Sequence, residues 1–237
     1  MSDVKVVVVG NEKGGVGKTT TAANLAVACA LAGHDVAIVD CDGQRSISGW
    51  LDDRKEAGVE PYIPGFQLKG RCGKEIVAMK QKYQTLIVDV AGHDSVELRE
   101  AIIVANIWLV PTSVDRYDTD ALPTAMQIVR MTELGTGIKP NARLLINKCS
   151  TSIFEQDANK LIQAIGTEAG ADIMDTMPPL TSRLSNRKAY PRSSEFGMGV
   201  IEHAQRDGAT NSDRAAAQEI IALYEEVFGV PFQIKEA

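Results

Sequence analysis

Lys13-Gly14-Gly15-Val16-Gly17-Lys18-Thr19-Thr20 sets two lysines and two hydroxyls around three glycines, shortly after the apolar run Val6-Val7-Val8-Val9. Glycines let successive backbone N–H groups turn inward on phosphate oxygens that side chains would obstruct. A helix opening at Lys18 adds unpaired donors and the positive end of its dipole. Lys18 offers a cation to the β- and γ-phosphates of a nucleotide, and the Thr19 hydroxyl offers a ligand to Mg2+. The pattern G-x-x-x-x-G-K-[ST] is met at Gly17, Lys18 and Thr19, while Glu12 stands where its leading glycine belongs.

Two acidic segments complete this chemistry. Asp40-Cys41-Asp42 closes a second apolar run, and carboxylates at i and i+2 of an extended chain point the same way. Asp89 ends a third run, Leu86-Ile87-Val88. An acid at such a strand end, beside the strand that feeds the phosphate loop, can hold Mg2+ through water. Gly92 follows, offering a backbone N–H to a γ-phosphate as a switch loop does. Asn147 closes Leu144-Leu145-Ile146 and can pair with a purine edge. In Asn147-Lys148-Cys149-Ser150 a serine replaces the carboxylate that guanine recognition would need, so ATP is expected over GTP.

These residues need a scaffold that lines up strand ends. Candidate strands are Val4–Val9, Asp35–Val39, Thr85–Val88, Ile107–Val110, Ala142–Ile146 and Asp172–Met174, each a near-continuous aliphatic run suited to burial on both faces. Candidate helices are Lys18–Ala32, Gly73–Lys82, Val96–Ala105, Thr119–Leu134, Ile153–Ala169 and Asp213–Phe228. Gly33, Gly135 and Gly170 sit where three of them should end. Residues 43–70 are less regular, a short helix and an excursion. The alternation predicts an α/β fold: a mostly parallel, twisted sheet with helices on both faces, in one domain spanning residues 1–237.

The chain has 237 residues, with 25 Lys and Arg against 31 Asp and Glu, a net charge of −6. Extensive nucleic-acid wrapping is excluded, so any such contact must be a local basic patch. Four cysteines without a C-x-x-C pair exclude a disulfide framework and a zinc site. No stretch approaches a membrane span, and a cytoplasmic protein is expected.

The lysine at residue 13 carries a resemblance. Lys13-Gly14-Gly15-Val16-Gly17-Lys18-Thr19 resembles the deviant Walker A motif of ParA/MinD-type ATPases, and Asp40–Gln44 resembles their D-x-D-P-Q segment with Gly43 in place of proline. Pro179, Arg183, Leu184 and Ser185 keep register with a further family stretch, in which Leu180 replaces an arginine. The resemblance implies that Lys13 reaches across an ATP-sandwiched homodimer, that Asp42 orients the attacking water, that Asp40 lies near the Mg2+ shell, and that Pro179 packs on adenine. Lys13 as a solvated loop residue, and Asp40 as a cap for the helix near Ser46, stay open beside these roles. The short segment before Val4 points to the compact plasmid-partition type without an N-terminal helix-turn-helix.

That type implies slow ATP hydrolysis, stimulated by a ParB-type or other cargo-bound adaptor, and nonspecific binding to nucleoid DNA. Arg183, Arg187, Lys188 and Arg192 are the candidate DNA contacts, with a solvated basic face or ribose and dimer contacts as the alternative. A second basic stretch holds Lys69, Arg71, Lys74, Lys80 and Lys82. The last helix ends Glu219–Phe228 with an acidic polar face, which argues against binding an anionic bilayer. Two other functions share the nucleotide motif: a metabolic enzyme phosphorylating or ligating a small molecule, and an ATP-binding scaffold with negligible hydrolysis.

Overall fold

Val6, Val7, Val8 and Val9 are all fully buried, so the first strand must be covered on both faces. The computed structural model describes residues 6–91, 94–113, 122–150 and 168–235. Among them seven parallel strands form one sheet: β1 Val6–Val9, β2 Val36–Cys41, β3 Gly65–Gln67, β4 Thr85–Val90, β5 Ile107–Ser113, β6 Ala142–Cys149 and β7 Pro179–Ser185. Their order is β3-β2-β4-β1-β5-β6-β7, with β1 central. Nine helices are described: α1 Lys18–Leu31, α2 Ser46–Glu56, α3 Gly73–Met79, α4 Val96–Val104, α5 Leu122–Thr136, α6 Glu168–Thr176, α7 Ala189–Ser194, α8 Val200–His203 and α9 Asn211–Phe228.

The period of two along each strand divides the core. Val7, Val9, Ile38, Ile87 and Leu109 face α1 and, beyond it, α9. Val6, Val8, Val39, Leu86, Val88 and Trp108 face α3, α4 and α5. Helix α1 is sandwiched between sheet and α9. Its Ala22, Ala23, Ala26 and Ala28 are small enough to allow close approach on more than one side. In α9 Ala216, Ile220, Leu223, Tyr224 and Val227 repeat at the helical period and form its inward stripe.

Five of the six candidate helices and most strands fall within a few residues of the expected positions, while Ile153–Ala169 lies almost wholly outside the described residues. Asp172–Met174 is helical, inside α6. Three residues cannot distinguish the two periods, and Ile173 and Met177, four apart, are buried together. The seventh strand is β7, where Leu180, Ser182 and Leu184 are buried in alternation. The excursion after α2 contains β3, a three-residue edge strand with every residue exposed. Gly135 lies within α5 and Gly170 within α6; the residue with positive φ after α5 is Gly137, at 72°. Val4, residues 119–121, residues 153–167 and Gly92 lie outside the described residues.

The acidic face of α9 is turned to structural use. Glu219 accepts hydrogen bonds from the Ser185 backbone N–H (3.0 Å) and Oγ (2.7 Å), from Arg187 Nε (2.8 Å) and from the Tyr190 hydroxyl (3.1 Å). Glu226 accepts from the backbone N–H groups of Thr181 and Ser182, both at 2.7 Å. Both acids thus fasten β7 and the turn after it. Among the described residues the exposed Glu225 side chain accepts only from the Phe232 N–H, at 2.9 Å.

Glu219→Ala should therefore cost about 3 kcal/mol of stability, because it strands Arg187 and three further donors. Glu225→Ala should cost about 1 kcal/mol or less. Urea denaturation of the two variants checks the contrast, and equal midpoints would remove the fastening role from Glu219.

Candidate nucleotide-binding site

The loop between β1 and α1 is held from three sides. Gly10 donates from its N–H to the Leu109 carbonyl (3.0 Å), and its own carbonyl accepts from Trp108 Nε1 (3.0 Å). Asn11, 1% exposed, donates through Nδ2 to the Pro111 carbonyl (2.6 Å) and accepts the Lys13 N–H on Oδ1 (3.3 Å). On the far side Asn147 Nδ2 donates to the Val16 carbonyl (2.7 Å). A Cβ on Gly17 would stand 2.3 Å from that Nδ2, and Gly17 has φ 91°, so contact and backbone both require glycine.

Lys18 opens α1 almost buried, and its Nζ donates to the Lys13 carbonyl at 2.8 Å. Burial lowers its pKa, against the upward pull of Asp89 and Asp42. Thr19 Oγ1 donates to Asp89 Oδ2 at 2.7 Å. Asp89 is 1% exposed, and among the described residues its Oδ1 has no hydrogen-bond partner. Burial pushes its pKa up to about 7, helped by the charges of Asp40 and Asp42 and opposed by Thr19 and Lys18. A carboxylate with an orphaned oxygen next to a threonine hydroxyl is a donor set suited to a hard divalent cation such as Mg2+. Thr19 and Asp89 are the residues that would hold it.

Asp40 has another occupation. Its Oδ1 accepts from the Asp42 N–H (2.9 Å), and its Oδ2 accepts from the Ser48 N–H (3.3 Å) and the Ser48 hydroxyl. Helix α2 begins behind Arg45 with no side-chain cap of its own, so Asp40 caps it from the end of β2. Of its two expected roles the structure displays the capping one, and Asp40 reaches the metal position through charge. Asp42 is half-buried on the cavity wall, where its Oδ1 accepts the Gln44 N–H at 2.9 Å.

The cavity occupies about 750 Å³. Gly14, Gly15, Gly17, Lys18, Thr19 and Thr20 form its floor, and Asp42 stands at its side. Trp50 of α2, Tyr190 of α7 and Met198 form its outer wall; the sequence reading did not single them out, nor Trp108 and Asn11 behind the loop. Each is an ordinary core-type or amide residue, distinguished only by what the fold brings near it.

Neither residue expected at the base, Pro179 or Asn147, is among those lining this cavity. Pro179 is the first residue of β7, in register with Leu144, which pairs with Val110 one step beyond the level of Val9. Asn147 does not present a free amide either, since its Oδ1 accepts the Lys148 N–H (2.7 Å) while its Nδ2 holds Val16. The basic quartet is also divided. Arg187 pairs with Glu219 and Arg192 with Asp213, Arg183 is half-buried, and Lys188 is exposed.

Residues 7–198 match the family described as the CobQ/CobB/MinD/ParA nucleotide binding domain. The chain is 49% identical to the chromosome partitioning protein ParA of Caulobacter vibrioides, covering 92% of this chain and 94% of that protein. It is 27% identical to the chromosome-partitioning ATPase Soj of Thermus thermophilus, covering 94% and 98%. The solved structure of a Cyanothece McdA variant in complex with ATP shares the fold, at a TM-score of 0.75 and 14% identity over 99% of this chain and 100% of that one.

Asp89 supplies a test of the electrostatics. A buried acid with a raised pKa costs the fold stability above that pKa, and the cost disappears as pH falls below the unfolded value near 4. In metal-free protein, Asp89→Asn should raise the melting temperature at pH 8, and the gain should narrow as the pH falls from 7 to 4. Loss of stability at pH 8, or a gain independent of pH, would contradict the raised pKa.

Proposed function

The chain belongs to the CobQ/CobB/MinD/ParA nucleotide-binding family, and we propose that it is a partition or positioning ATPase driven by Mg2+ and ATP. On this reading residues 1–237 form one ATPase domain that dimerises around ATP. The dimer binds DNA without sequence preference and releases it when a cargo-bound adaptor of the ParB type stimulates hydrolysis. The protein then works in the cytoplasm, on the nucleoid. The observation that carries the reading is the pairing of two lysines in one loop: Lys18 Nζ rests on the carbonyl of Lys13 beside the Thr19–Asp89 pair.

The roles follow from that arrangement. Lys18 leaves the Lys13 carbonyl for the β- and γ-phosphates when nucleotide enters, since a phosphate oxygen is a stronger partner than a neutral carbonyl. This frees the backbone at residue 13, whose side chain then extends to the nucleotide of the second protomer. Asp42 orients water for in-line attack on the γ-phosphate, while Lys13 and Lys18 stabilise the charge on the transferring group. Bound through Thr19 and Asp89, Mg2+ would neutralise phosphate charge. Gly92 supplies a backbone N–H to the γ-phosphate. Coupling assembly to nucleotide state gives a timing device, so unstimulated turnover is slow.

Lys18→Ala should lose ATP binding in a fluorescent-nucleotide titration. Lys13→Ala should keep nucleotide affinity within about threefold but stay monomeric by light scattering with a non-cleavable ATP analogue and Mg2+. Asp42→Ala should form the dimer and lose hydrolysis by at least about 100-fold. A Lys13→Ala variant that dimerises normally would rule out the cross-dimer role. ADP release that depends on a small-molecule substrate and ignores DNA would favour a metabolic enzyme instead, and ATP binding without turnover would favour a scaffold.

A further inference from the structure

The chain as a whole repels polyanions, and its charge is unevenly spread. Lys69, Arg71, Lys74, Lys80 and Lys82 lie within fourteen residues that contain one acid, Glu75. Excluding that stretch, 20 cations face 30 acids, from totals of 25 and 31. The fold gathers the five around β3 and α3: two follow the edge strand, one lies in the first turn of α3, and two lie just beyond its end. Lys69, Arg71, Lys74 and Lys82 are exposed and Lys80 half-buried. Among the described residues none of the five makes an ion pair or a side-chain hydrogen bond.

The neighbouring acids are committed elsewhere. Glu97 Oε1 accepts the Gly70 N–H (2.6 Å) and Glu100 Oε2 the Gly73 N–H (3.3 Å), so α4 uses both to fix the turn that carries Arg71. Asp94 is paired with Arg99. Of the C-terminal basic residues, Arg187 and Arg192 are already neutralised by α9, which leaves Lys188 as the exposed one.

Resting on the DNA-binding reading above, we infer that the β3–α3 face, through Lys69, Arg71 and Lys74 with Lys80 and Lys82 behind them, is where the protein meets the duplex phosphate backbone. Long, unpaired cations on an exposed helix fit a phosphate row of any sequence, because they need charge proximity and no base register. An acidic protein segment fits less well: β3 is three residues long and offers little edge for an extended chain to pair with. Each protomer brings one such face, so the ATP-bound dimer doubles the contact and nucleotide state becomes DNA avidity.

The test is fluorescence anisotropy of a labelled nonspecific duplex against the full-length protein, with non-cleavable ATP analogue and Mg2+, over a range of salt. Each lost phosphate contact should lower the slope of log affinity against log salt by about 0.9. Lys69→Ala/Arg71→Ala/Lys74→Ala should therefore flatten the slope by about 2 to 3 per protomer and weaken binding at least about tenfold. Its DNA-free ATP turnover and analogue-induced dimer should remain unchanged. Arg183→Ala/Lys188→Ala should keep a near-wild-type slope. If the wild type binds no duplex, the DNA reading and this placement both fail. If the wild type binds and the triple variant keeps its slope, only the placement is overturned. Retained DNA binding in the triple variant together with lost stimulation by an acidic protein partner would also overturn it, in favour of a protein-docking face.

Discussion

A carboxylate sealed in the middle of the sheet governs this site. Asp89 stands at the end of β4, surrounded by aliphatic strands, with Asp40 and Asp42 close enough to raise its pKa and one oxygen without a hydrogen-bond partner among the described residues. Lys18 feels the charge of both Asp89 and Asp42, and it is itself destabilised by burial. Three acids around the buried Lys18 leave a deficit of positive charge at a dry position, where charge is costly. Triphosphate alone would deepen that deficit. A metal alone would correct it but leave Lys18 on a backbone carbonyl and the glycine loop without an anion. The two are complementary as a pair, which is the electrostatic argument for the metal–nucleotide complex proposed above.

That balance matters only if the loop stays in place, and the fold supplies the restraint from behind. Trp108 and Asn11 secure its entrance to β5, Asn147 secures its middle to β6, and Thr19 ties its exit to β4. Three strands of the parallel sheet, β4, β5 and β6, thus hold the loop through polar contacts. The strand order places β4 and β5 on either side of β1, so the phosphate loop emerges between its own supports. Asp40 does the same for the carboxylate loop by capping α2, which leaves Asp42 at the cavity wall.

The convergence of the glycine loop with the strand-end acids was legible in the sequence because it depends on local spacing. Glycines, lysine and threonine in one turn, and acids at the ends of aliphatic runs, retain their meaning without tertiary information. The outer wall was illegible for the opposite reason. Trp50, Tyr190 and Met198 come from three segments and are ordinary hydrophobic residues until the fold converges them. Pro179 was placed by motif alone, with no local period to say that it opens the seventh strand. Period-two alternation at Leu180, Ser182 and Leu184 was the available signal for that strand, outweighed by its polar residues. Asp172–Met174 failed because a three-residue run has no period.

Net charge is a poor guide to which surfaces are negative in this protein. Glu219, Glu226, Glu97 and Glu100 each accept backbone N–H groups, so a share of the acids counted in the sequence acts as internal ligand. Such carboxylates replace hydrogen bonds that turns after β3 and β7 cannot make for themselves. Their placement also sorts the basic residues. Where α9 lends an acid to a turn, Arg187 and Arg192 become part of its scaffolding. Where α4 spends its acids on the Gly70–Gly73 backbone, the lysines alongside have no acid partner among the described residues. A basic segment with committed neighbours and one with uncommitted neighbours look alike in sequence, and only the second retains charge to offer another molecule.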